Sequence, residues 1–443
     1  MKPTTSSPSW VKTSVRACLV AEFPGAWGIE PGRDGSNALI LRSTNLDDDG
    51  HINFGTAAKR WIEEPHYTER HLRDGDVLLE TSGGGPAKPV GRVAHFQQPD
   101  SNTYLCSNFF RTLRPNVRKV NSRFLAWRLL HLYRQPRIWN FQQQTTGIIN
   151  LKTHDYLEQC FLLPETDEQS RIAAVLDTVD EAIVQTEKVI AKLRQVRTGL
   201  LHDLLTCGLD ENGQLRDPVA HPEEFQDTPI GRIPKAWEIR TVGQLIAGFE
   251  SGVSVDSVDT PAAEGEIGVL KTGCITGGVF VPQENKRVKT QDLGRVRCNP
   301  KEDCLIISRM NTPQLVGESA YVSLDCEYVY LPDRLWQTIK YPGDPTCIRW
   351  LGYVVQEKEF REAVTGGATG TSGSMKNITQ SFFLSLPVRV PPRQEQELIA
   401  KLAVHHDARI TTEQDYRNKL TQLKSGLMDD LLTGRVRIPE GID

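Results

Sequence analysis

The sequence predicts a chain of two mixed α/β domains and two long helices, with the helices packed on each other as an antiparallel coiled coil. Three observations support this fold class. One unit occurs twice along the chain, each copy has apolar strand-like runs in its front part, and each copy ends in a long helical pattern. At 443 residues, the chain is also too long for one ordinary domain.

The repeat is clearest in the back part of each copy. Residues 168–173 recur as residues 395–400, and residues 199–206 recur as residues 426–433, both 227 positions later. Single matches further forward have the same spacing: Trp10 with Trp237, Asp76 with Asp303, and Asn150 with Asn377. A period this long excludes a solenoid, whose repeats have about 20–50 residues, and indicates two pseudo-symmetric halves.

Both back parts have the spacing of a long helix with a narrow apolar seam. In the first copy the apolar residues are Ile172, Leu176, Val179, Ile183, Ile190, Leu193, Val196, Leu200 and Leu204. In the second copy they are Ile399, Leu402, Ile410, Tyr416, Leu420, Leu423, Leu427 and Leu431. Steps of three and four predict a heptad seam, so each helix needs a partner. The nearest partner is the other copy, and antiparallel packing would separate the two front domains.

These patterns give the expected domain boundaries. They are residues 1–164 for the first front domain, 165–206 for the first helix, 207–234 for a linker, 235–391 for the second front domain, 392–434 for the second helix and 435–443 for a tail. The linker is rich in Pro, Gly, Asp and Glu, which is typical of a surface segment. Apolar runs at residues 38–41, 76–79, 267–270 and 303–307 predict buried strands in the front domains.

The composition limits the class of protein. The N-terminus lacks the apolar core of a signal peptide, no apolar run approaches the ~20 residues of a membrane span, and we expect a cytoplasmic protein. Nine dispersed cysteines without a metal-ligand spacing predict reduced thiols rather than disulfides or zinc. The net charge of -4 is less basic than usual for a nucleic-acid binder. Net charge is a weak test, because a basic face can coexist with acidic surfaces.

The sequence contains no catalytic motif. The glycines of residues 83–88 are followed by Pro86 and Ala87, which break the pattern of a phosphate-binding loop. Neither a serine-hydrolase elbow nor a dinucleotide-binding fingerprint is present. His405 and His406 are adjacent on a helix and point to different faces, which disfavours a shared metal. We therefore predict a non-catalytic chain.

Several segments resemble the specificity subunit of type I restriction-modification systems. They are Glu-Gln at residues 168–169 after Leu-Pro, its counterpart at residues 395–396 after Val-Pro-Pro, the run Lys-Ser-Gly-Leu-Met-Asp-Asp-Leu-Leu-Thr-Gly-Arg-Val at residues 424–436, and the linker with its continuation at residues 221–238. Residues 82–85, followed by residues 89–93, look like one subclass of the family's recognition domains. The resemblance covers nearly the whole chain and occurs at equivalent places in both copies.

The resemblance implies a function and a set of partners. Each front domain would be a target-recognition domain that reads one half of a bipartite site in double-stranded DNA. The helices would set the half-site spacing and bind two methyltransferase subunits, which carry S-adenosylmethionine and methylate adenine N6. Two restriction subunits with an ATP-driven motor and a nuclease would complete the complex. This chain would bind no cofactor itself, since ATP and Mg are expected on the partner subunits.

Candidate DNA contacts are polar or basic residues at matching places of the two copies, where they could meet phosphates or base edges. At strand ends these are Arg42, Ser43, Ser82 and Gly83 in the first copy, and Lys271, Thr272 and Arg309 in the second. In polar loops they are Gln143, Thr145 and Thr146, and Thr369, Thr371 and Ser372. The alternative, that these are solvated strand ends and flexible connectors, stays open at this point.

Two other functions compete with this interpretation. A stand-alone bipartite DNA-binding protein or regulator would have the same recognition domains without methyltransferase partners. A fused restriction-methylation enzyme would need catalytic motifs, which the sequence lacks. The sequence gives no base code, so it does not predict the DNA target.

Overall fold

The computed structural model describes residues 10–32, 35–85, 87–145, 147–343, 346–370 and 375–438. The chain forms two compact units: Met1–Lys188 together with Gln414–Asp443, and Val189–Glu413. Each unit therefore contains one front domain and a part of each long helix. Among the described residues, no helix is long and apolar enough to cross a membrane.

The front domain of the first unit is mixed α/β. Its strands are β1 Val11–Ser14, β2 Leu19–Pro24, β3 Ala38–Leu41, β4 Ala58–Arg60, β5 Val77–Glu80, β6 Ser82–Gly84, β7 Val93–His95, β8 Tyr104–Cys106, β9 Phe110–Pro115, β10 Gln142–Thr145, β11 Ile148–Leu151 and β12 Cys160–Leu163. Its helices are α1 His66–Arg70, α2 Ser122–Arg134 and α3 Thr153–Leu157, and the long helix α4 Thr166–Thr206 follows.

The second front domain has the same class of fold. Its strands, including two in the linker region, are β13 Phe225–Thr228, β14 Gly231–Pro234, β15 Glu238–Thr241, β16 Gly248–Ser251, β17 Ser257–Val258, β18 Gly268–Leu270, β19 Asn285–Val288, β20 Cys304–Ser308, β21 Met310–Asn311, β22 Ser319–Val322, β23 Val329–Tyr330, β24 Leu335–Ile339, β25 Lys376–Asn377 and β26 Pro387–Val390. Its helices are α5 Ile348–Gln356, α6 Lys358–Gly366 and α7 Gln380–Ser385, and the long helix α8 Arg393–Leu431 follows.

The sheets show that the repeat extends to topology. The order β2-β9-β5-β7 of the first unit matches β16-β24-β20-β22 of the second, and all neighbours in both sheets are antiparallel. The parallel pair β3–β8 matches the parallel pair β18–β23. The terminal pair β1–β12 likewise matches β15–β26. The predicted internal repeat and mixed α/β class are confirmed.

The segment expected to be a surface linker is ordered. The strands β13 and β14 form an antiparallel hairpin, and Phe225 and Ile233 on it are buried. Leu209, just after α4, also belongs to the core of the second unit. The composition of this segment is typical of a linker, but its apolar side chains Leu209, Phe225 and Ile233 are buried and hold it against the second unit.

Both long helices complete the core of each unit. In the first unit, Ile172 and Leu176 of α4 pack in one cluster with Met428 and Leu431 of α8 and with Val77 of the central strand β5. In the second unit, Leu204 and Leu205 of α4 share a cluster with Ile399, Ala400 and Ala403 of α8. The start of one helix thus packs near the end of the other in each unit, which confirms the predicted antiparallel pairing.

Ion pairs connect α4 and α8 at pseudo-equivalent positions. In the first unit, the Lys424 ammonium donates to the Asp180 carboxylate at 2.6 Å, and both side chains are buried. In the second unit, the Arg197 guanidinium pairs with Asp407. The repeat spacing of 227 relates Asp180 to Asp407 and Arg197 to Lys424. The repeat therefore includes this cross-helix ion pair as well as the spacing of the apolar residues.

The ion pairs correct the expected helix seam. Val196, Tyr416 and Leu423, which were predicted to lie in the seam, are 42%, 50% and 50% exposed. In each case the next residue makes a cross-helix ion pair: Arg197 with Asp407, Arg417 with Glu187, and Lys424 with Asp180. At these three positions the spacing of apolar residues does not show whether the apolar residue or its charged neighbour faces the other helix. The oppositely charged residue on the facing helix decides that the charged neighbour does.

A tryptophan–glutamate–arginine contact secures the start of each long helix. The Trp10 indole donates to Glu168 at 3.1 Å, and the Trp237 indole donates to Glu395 at 3.1 Å. Arg437, which follows α8, also donates to Glu168, and Arg216, which follows α4, donates to Glu395. In each unit, the segment after one helix is therefore bonded to the first turn of the other helix.

A charged histidine attaches a front-domain loop to α4 in the first unit. His51 Nε2 lies 3.0 Å from Asp180, and His51 Nδ1 lies 2.8 Å from Asp47. Asp180 and then Asp47 raise the pKa of His51 from 6.5 to about 10. Since the folded pKa lies above the unfolded value, this stabilisation is fully present below pH 6.5 and is lost as the pH rises through about 10.

We expect His51→Gln to lower the free energy of unfolding of the first unit by roughly 1 kcal/mol at pH 6, because partial exposure screens the pair. The difference from the wild type should vanish above pH 10. Thermal melting of both proteins at pH 6, 8 and 11 measures this difference. His154→Gln is the control, since His154 is highly exposed. A difference that is constant across this pH range would contradict the assigned ion pair.

Candidate nucleic-acid interface

Four of the candidate DNA contacts in the first unit, Ser82, Gly83, Gln143 and Thr145, lie on strands of one small sheet. Strand β11 pairs with both β6 and β10, so that Ser82 and Gln143 are both opposite Asn150. The Ser82 hydroxyl donates to the side-chain oxygen of Asn150. Gln143 is exposed on β10, while Ser82 is half-buried. The sheet places a hydroxyl and amides, which can bond to phosphates and base edges, on adjacent strands.

Gly83 is the middle residue of β6, and Ser43 lies beside it. Gly83 has a φ of +108°, a conformation that side chains rarely adopt. A Cβ added at Gly83 would lie 3.9 Å from the Ser43 hydroxyl oxygen, so the two residues are neighbours. That hydroxyl is buried and has no hydrogen-bond partner among the described residues. Four of the predicted candidates of the first copy, Ser43, Ser82, Gly83 and Gln143, therefore lie close together.

A buried ion pair holds the segment that carries Ser43. Arg92 is bonded to the Glu80 carboxylate at 2.9 and 2.5 Å, and this carboxylate raises the pKa of Arg92. The same guanidinium donates to the backbone oxygens of Ser43 at 3.0 Å and Leu46 at 2.6 Å. Because both charges are buried, Arg92 has little freedom, and the position of Ser43 is fixed by the core of the domain.

Arg42 makes an internal contact. Its guanidinium donates to the backbone oxygen of Thr56 at 2.7 Å, and its backbone N–H donates to the side chain of Asn45 at 2.8 Å. Its Nε is buried without a partner among the described residues. Arg42 thus supports the turn after β3, and part of its donor capacity is already used by the protein.

The second unit has a corresponding arrangement around Arg309. Strand β21 follows Arg309 and pairs with β25, and Ile378 donates its N–H to the Arg309 carbonyl at 3.0 Å. Thr369 and Asn377 exchange two backbone hydrogen bonds of 2.9 and 2.8 Å. The structure therefore brings the predicted strand end at Arg309 together with the start of the polar loop at Thr369.

The Arg309 side chain is half-buried over an aromatic ring. Its guanidinium carbon lies 5.8 Å from the centre of the Trp336 ring. Its Nε has no hydrogen-bond partner in the part of the chain that the structure describes. A cation that is preorganised by a ring and has unused donors is suited to bind phosphate or guanine.

Lys271 and Thr272 have other local roles. The Lys271 ammonium pairs with Asp259 at 3.1 Å. Thr272 begins a 3-10 helix, Thr272–Gly278, directly after β18. Of the remaining candidates, Thr145 ends β10, while Thr146, Thr371 and Ser372 lie outside the described residues.

Asn150 and Asn377 are the residues that sequence reasoning did not include among the DNA contacts. Asn150 bonds to Ser82, and Asn377 bonds to Thr369, so each lies within the cluster of its unit. The signal was present, because these two asparagines match at the repeat spacing of 227 in a region that has otherwise diverged. The described residues contain no group of acidic, histidine and cysteine side chains suited to hold a metal ion.

The family model and the curated relatives that this sequence matches are of one kind. Residues 38–195 match the family model described as the type I restriction modification DNA specificity domain. A putative type I restriction enzyme MjaX specificity subunit from Methanocaldococcus jannaschii is 25% identical over 393 residues, which are 85% of this chain and 82% of that protein. The type I restriction enzyme EcoEI specificity subunit from Escherichia coli is 24% identical over 397 residues, 83% of this chain and 60% of that protein.

Two solved structures share the fold over nearly the full length. The S subunit of a type I restriction-modification system from M. genitalium has a TM-score of 0.57 at 15% identity, with 98% of both chains covered. A chain from a study of complex assembly and conformational transition of the type I R-M system has a TM-score of 0.52 at 18% identity, covering 98% of this chain and 100% of that one.

We expect Arg92→Lys to weaken base preference in one half-site. The lysine keeps the charge next to Glu80, but its single nitrogen cannot take the positions of the three guanidinium nitrogens that bond to Glu80, Ser43 and Leu46, so the segment loosens at a cost of about 1–3 kcal/mol. Thermal melting and DNA-binding selection with the full chain measure the two effects. Lys88→Ala is the control, since the Lys88–Asp48 pair is exposed. Unchanged melting together with unchanged base preference would show that Arg92 does not position Ser43.

Proposed function

The chain belongs to the specificity subunits of type I restriction-modification systems, and we propose that each of its two units reads one half of a bipartite DNA sequence. The specificity-domain match, the curated relatives and the shared fold support DNA sequence recognition as its role. As a specificity subunit the chain is non-catalytic, and the chemical steps belong to its partners.

The observation that carries this proposal is the pair of pseudo-equivalent polar surfaces. In the first unit, Ser43, Gly83 and the β6-β11-β10 sheet meet at one place. In the second, Arg309 and Thr369 are joined through β25 and the residues next to it. The two surfaces occupy matching positions of the repeat but differ in chemistry, which is what reading two different half-sites requires.

The chain assembles with other subunits of a restriction-modification complex and with DNA. We propose two methyltransferase subunits, one for each copy of the repeat, because a pseudo-symmetric chain offers two equivalent binding surfaces. Two restriction subunits would complete the assembly. S-adenosylmethionine, ATP and Mg would bind to these partners, and the whole complex would work in the cytoplasm on double-stranded DNA.

The two helices support a further part of the proposal, a fixed spacing between half-sites. Both α4 and α8 contribute to both units, and cross-helix ion pairs set their register. A paired helix has a defined rise of about 1.5 Å for each residue. The number of residues in the helices would therefore determine the length of the DNA spacer.

A binding selection tests the proposed function. The full chain, purified with the subunits that it binds, is incubated with a pool of random-sequence duplex DNA, and the bound fraction is sequenced. We expect a two-part motif with a fixed spacer, and methyltransferase subunits in the purified complex. Enrichment of one continuous motif, or of none, would contradict bipartite recognition. A two-part motif without bound methyltransferase subunits would identify a stand-alone DNA-binding protein.

We expect Arg309→Ala to relax base preference in one half of the motif only. Loss of an arginine–base contact costs about 1–3 kcal/mol, or about 5- to 150-fold in discrimination. The same selection with this variant measures the effect. Lys358→Ala removes a cation that is highly exposed on α6 of the same unit and should leave the motif unchanged. An unchanged motif for Arg309→Ala would remove Arg309 from the interface without affecting the proposed function.

A further inference from the structure

One turn of the first unit presents an exposed aromatic side chain next to the candidate interface. Phe109 lies between β8 and β9, and its side chain is 47% exposed. Its backbone oxygen accepts hydrogen bonds from the N–H groups of Thr81 at 2.7 Å and Ser82 at 3.3 Å. The turn is thus bonded directly to the start of β6, one of the interface strands.

The Phe109 ring lies next to Gly83 and Ser43 of the candidate interface. Its Cδ2 atom would lie 3.8 Å from a Cβ at Gly83, and the same Cβ would lie 3.9 Å from the Ser43 hydroxyl oxygen. Ring, glycine and hydroxyl therefore share one patch. Because Gly83 has no side chain, it does not cover the side of the Phe109 ring that faces it.

The corresponding turn of the second unit presents an arginine. Arg334 immediately precedes β24, as Phe109 immediately precedes β9, and β24 matches β9 in sheet order. The Arg334 backbone oxygen accepts from the Arg309 N–H at 3.0 Å, just as Phe109 accepts from Ser82, the residue that matches Arg309. The Arg334 side chain is exposed, and it has no ion pair among the described residues.

We propose that Phe109 and Arg334 are pseudo-equivalent specificity-determining residues of the two units. Phe109 makes an apolar contact with the methyl group of a thymine, and Arg334 bonds to O6 and N7 of a guanine. These are the base features that suit each side chain in the major groove. One position of the repeat thus reads a different base in each half-site. This inference rests on the proposed bipartite DNA recognition.

The first experiment repeats the binding selection with Phe109→Ala and Arg334→Ala in the full chain. We expect Phe109→Ala to lose the preference for thymine at one position of one half-site, and Arg334→Ala to lose guanine at one position of the other. Val117→Ala, a change at a 76% exposed side chain beyond β9, and Lys358→Ala are matched controls and should keep the wild-type motif. Phe109→Leu, which keeps an apolar side chain, should retain part of the thymine preference if the variant folds normally.

The second experiment uses base analogues in the selected motif. Replacing the thymine by deoxyuridine removes only the methyl group, and we expect about 4-fold weaker binding by the wild type, the factor for about 0.8 kcal/mol. Phe109→Ala should bind both duplexes equally. Replacing the guanine by 7-deazaguanine should weaken the wild type and leave Arg334→Ala unaffected.

The possible outcomes separate this inference from the function on which it rests. A folded Phe109→Ala or Arg334→Ala protein with the wild-type motif would overturn the assignment of that residue. A uniform loss of affinity for all sequences would show a phosphate contact and would also overturn it. If the wild type selects no two-part motif, the proposed function fails, and the failure is visible before any variant is made.

Discussion

Cross-helix ion pairs set the register in which α4 and α8 pack, and this register decides which helix residues reach each core. Removing one partner of a buried pair such as Asp180–Lys424 costs about 3–5 kcal/mol, whereas apolar residues in place of both partners are often neutral or stabilising. We therefore interpret these pairs as devices that select one helix register rather than as a source of stability. The pair Arg197–Asp407 repeats the device in the second unit. With the register fixed, the ends of both helices reach the cores that they complete.

This arrangement makes each front domain dependent on the helix of the other copy. The core of the first unit includes Met428 and Leu431 from the second copy, and the core of the second unit includes Leu204 and Leu205 from the first. The contacts of Glu168 and Glu395 follow the same rule, because each accepts from an arginine that follows the other helix. Such mutual dependence explains why the back parts have kept length and pattern while the front parts have diverged.

The sequence predicted the repeat, the fold class and the helix pairing, because these depend on spacing and on long apolar runs. It was wrong about Val196, Tyr416 and Leu423, since apolar spacing does not show that a charged neighbour has a buried partner on another helix. Within the candidate interface, Ser82 and Gly83 were predicted as contacts from the strand end that they occupy. The role of Arg92 was not, because its hydrogen bonds to Ser43 and Leu46 span more than 45 residues of chain. Contacts of that kind appear only once the fold is known.

If the register of α4 and α8 fixes the spacing of the DNA half-sites, shortening both helices by the same length should change that spacing. Deleting residues 182–188 together with residues 416–422 removes two turns from both helices and leaves Asp180 opposite Lys424 and Arg197 opposite Asp407. The binding selection on this variant should return both half-sites with a spacer changed by about three base pairs. Deleting residues 182–188 alone should abolish bipartite binding. An unchanged spacer after the paired deletion, or equal behaviour of the two variants, would show that the helices do not set the distance between the half-sites.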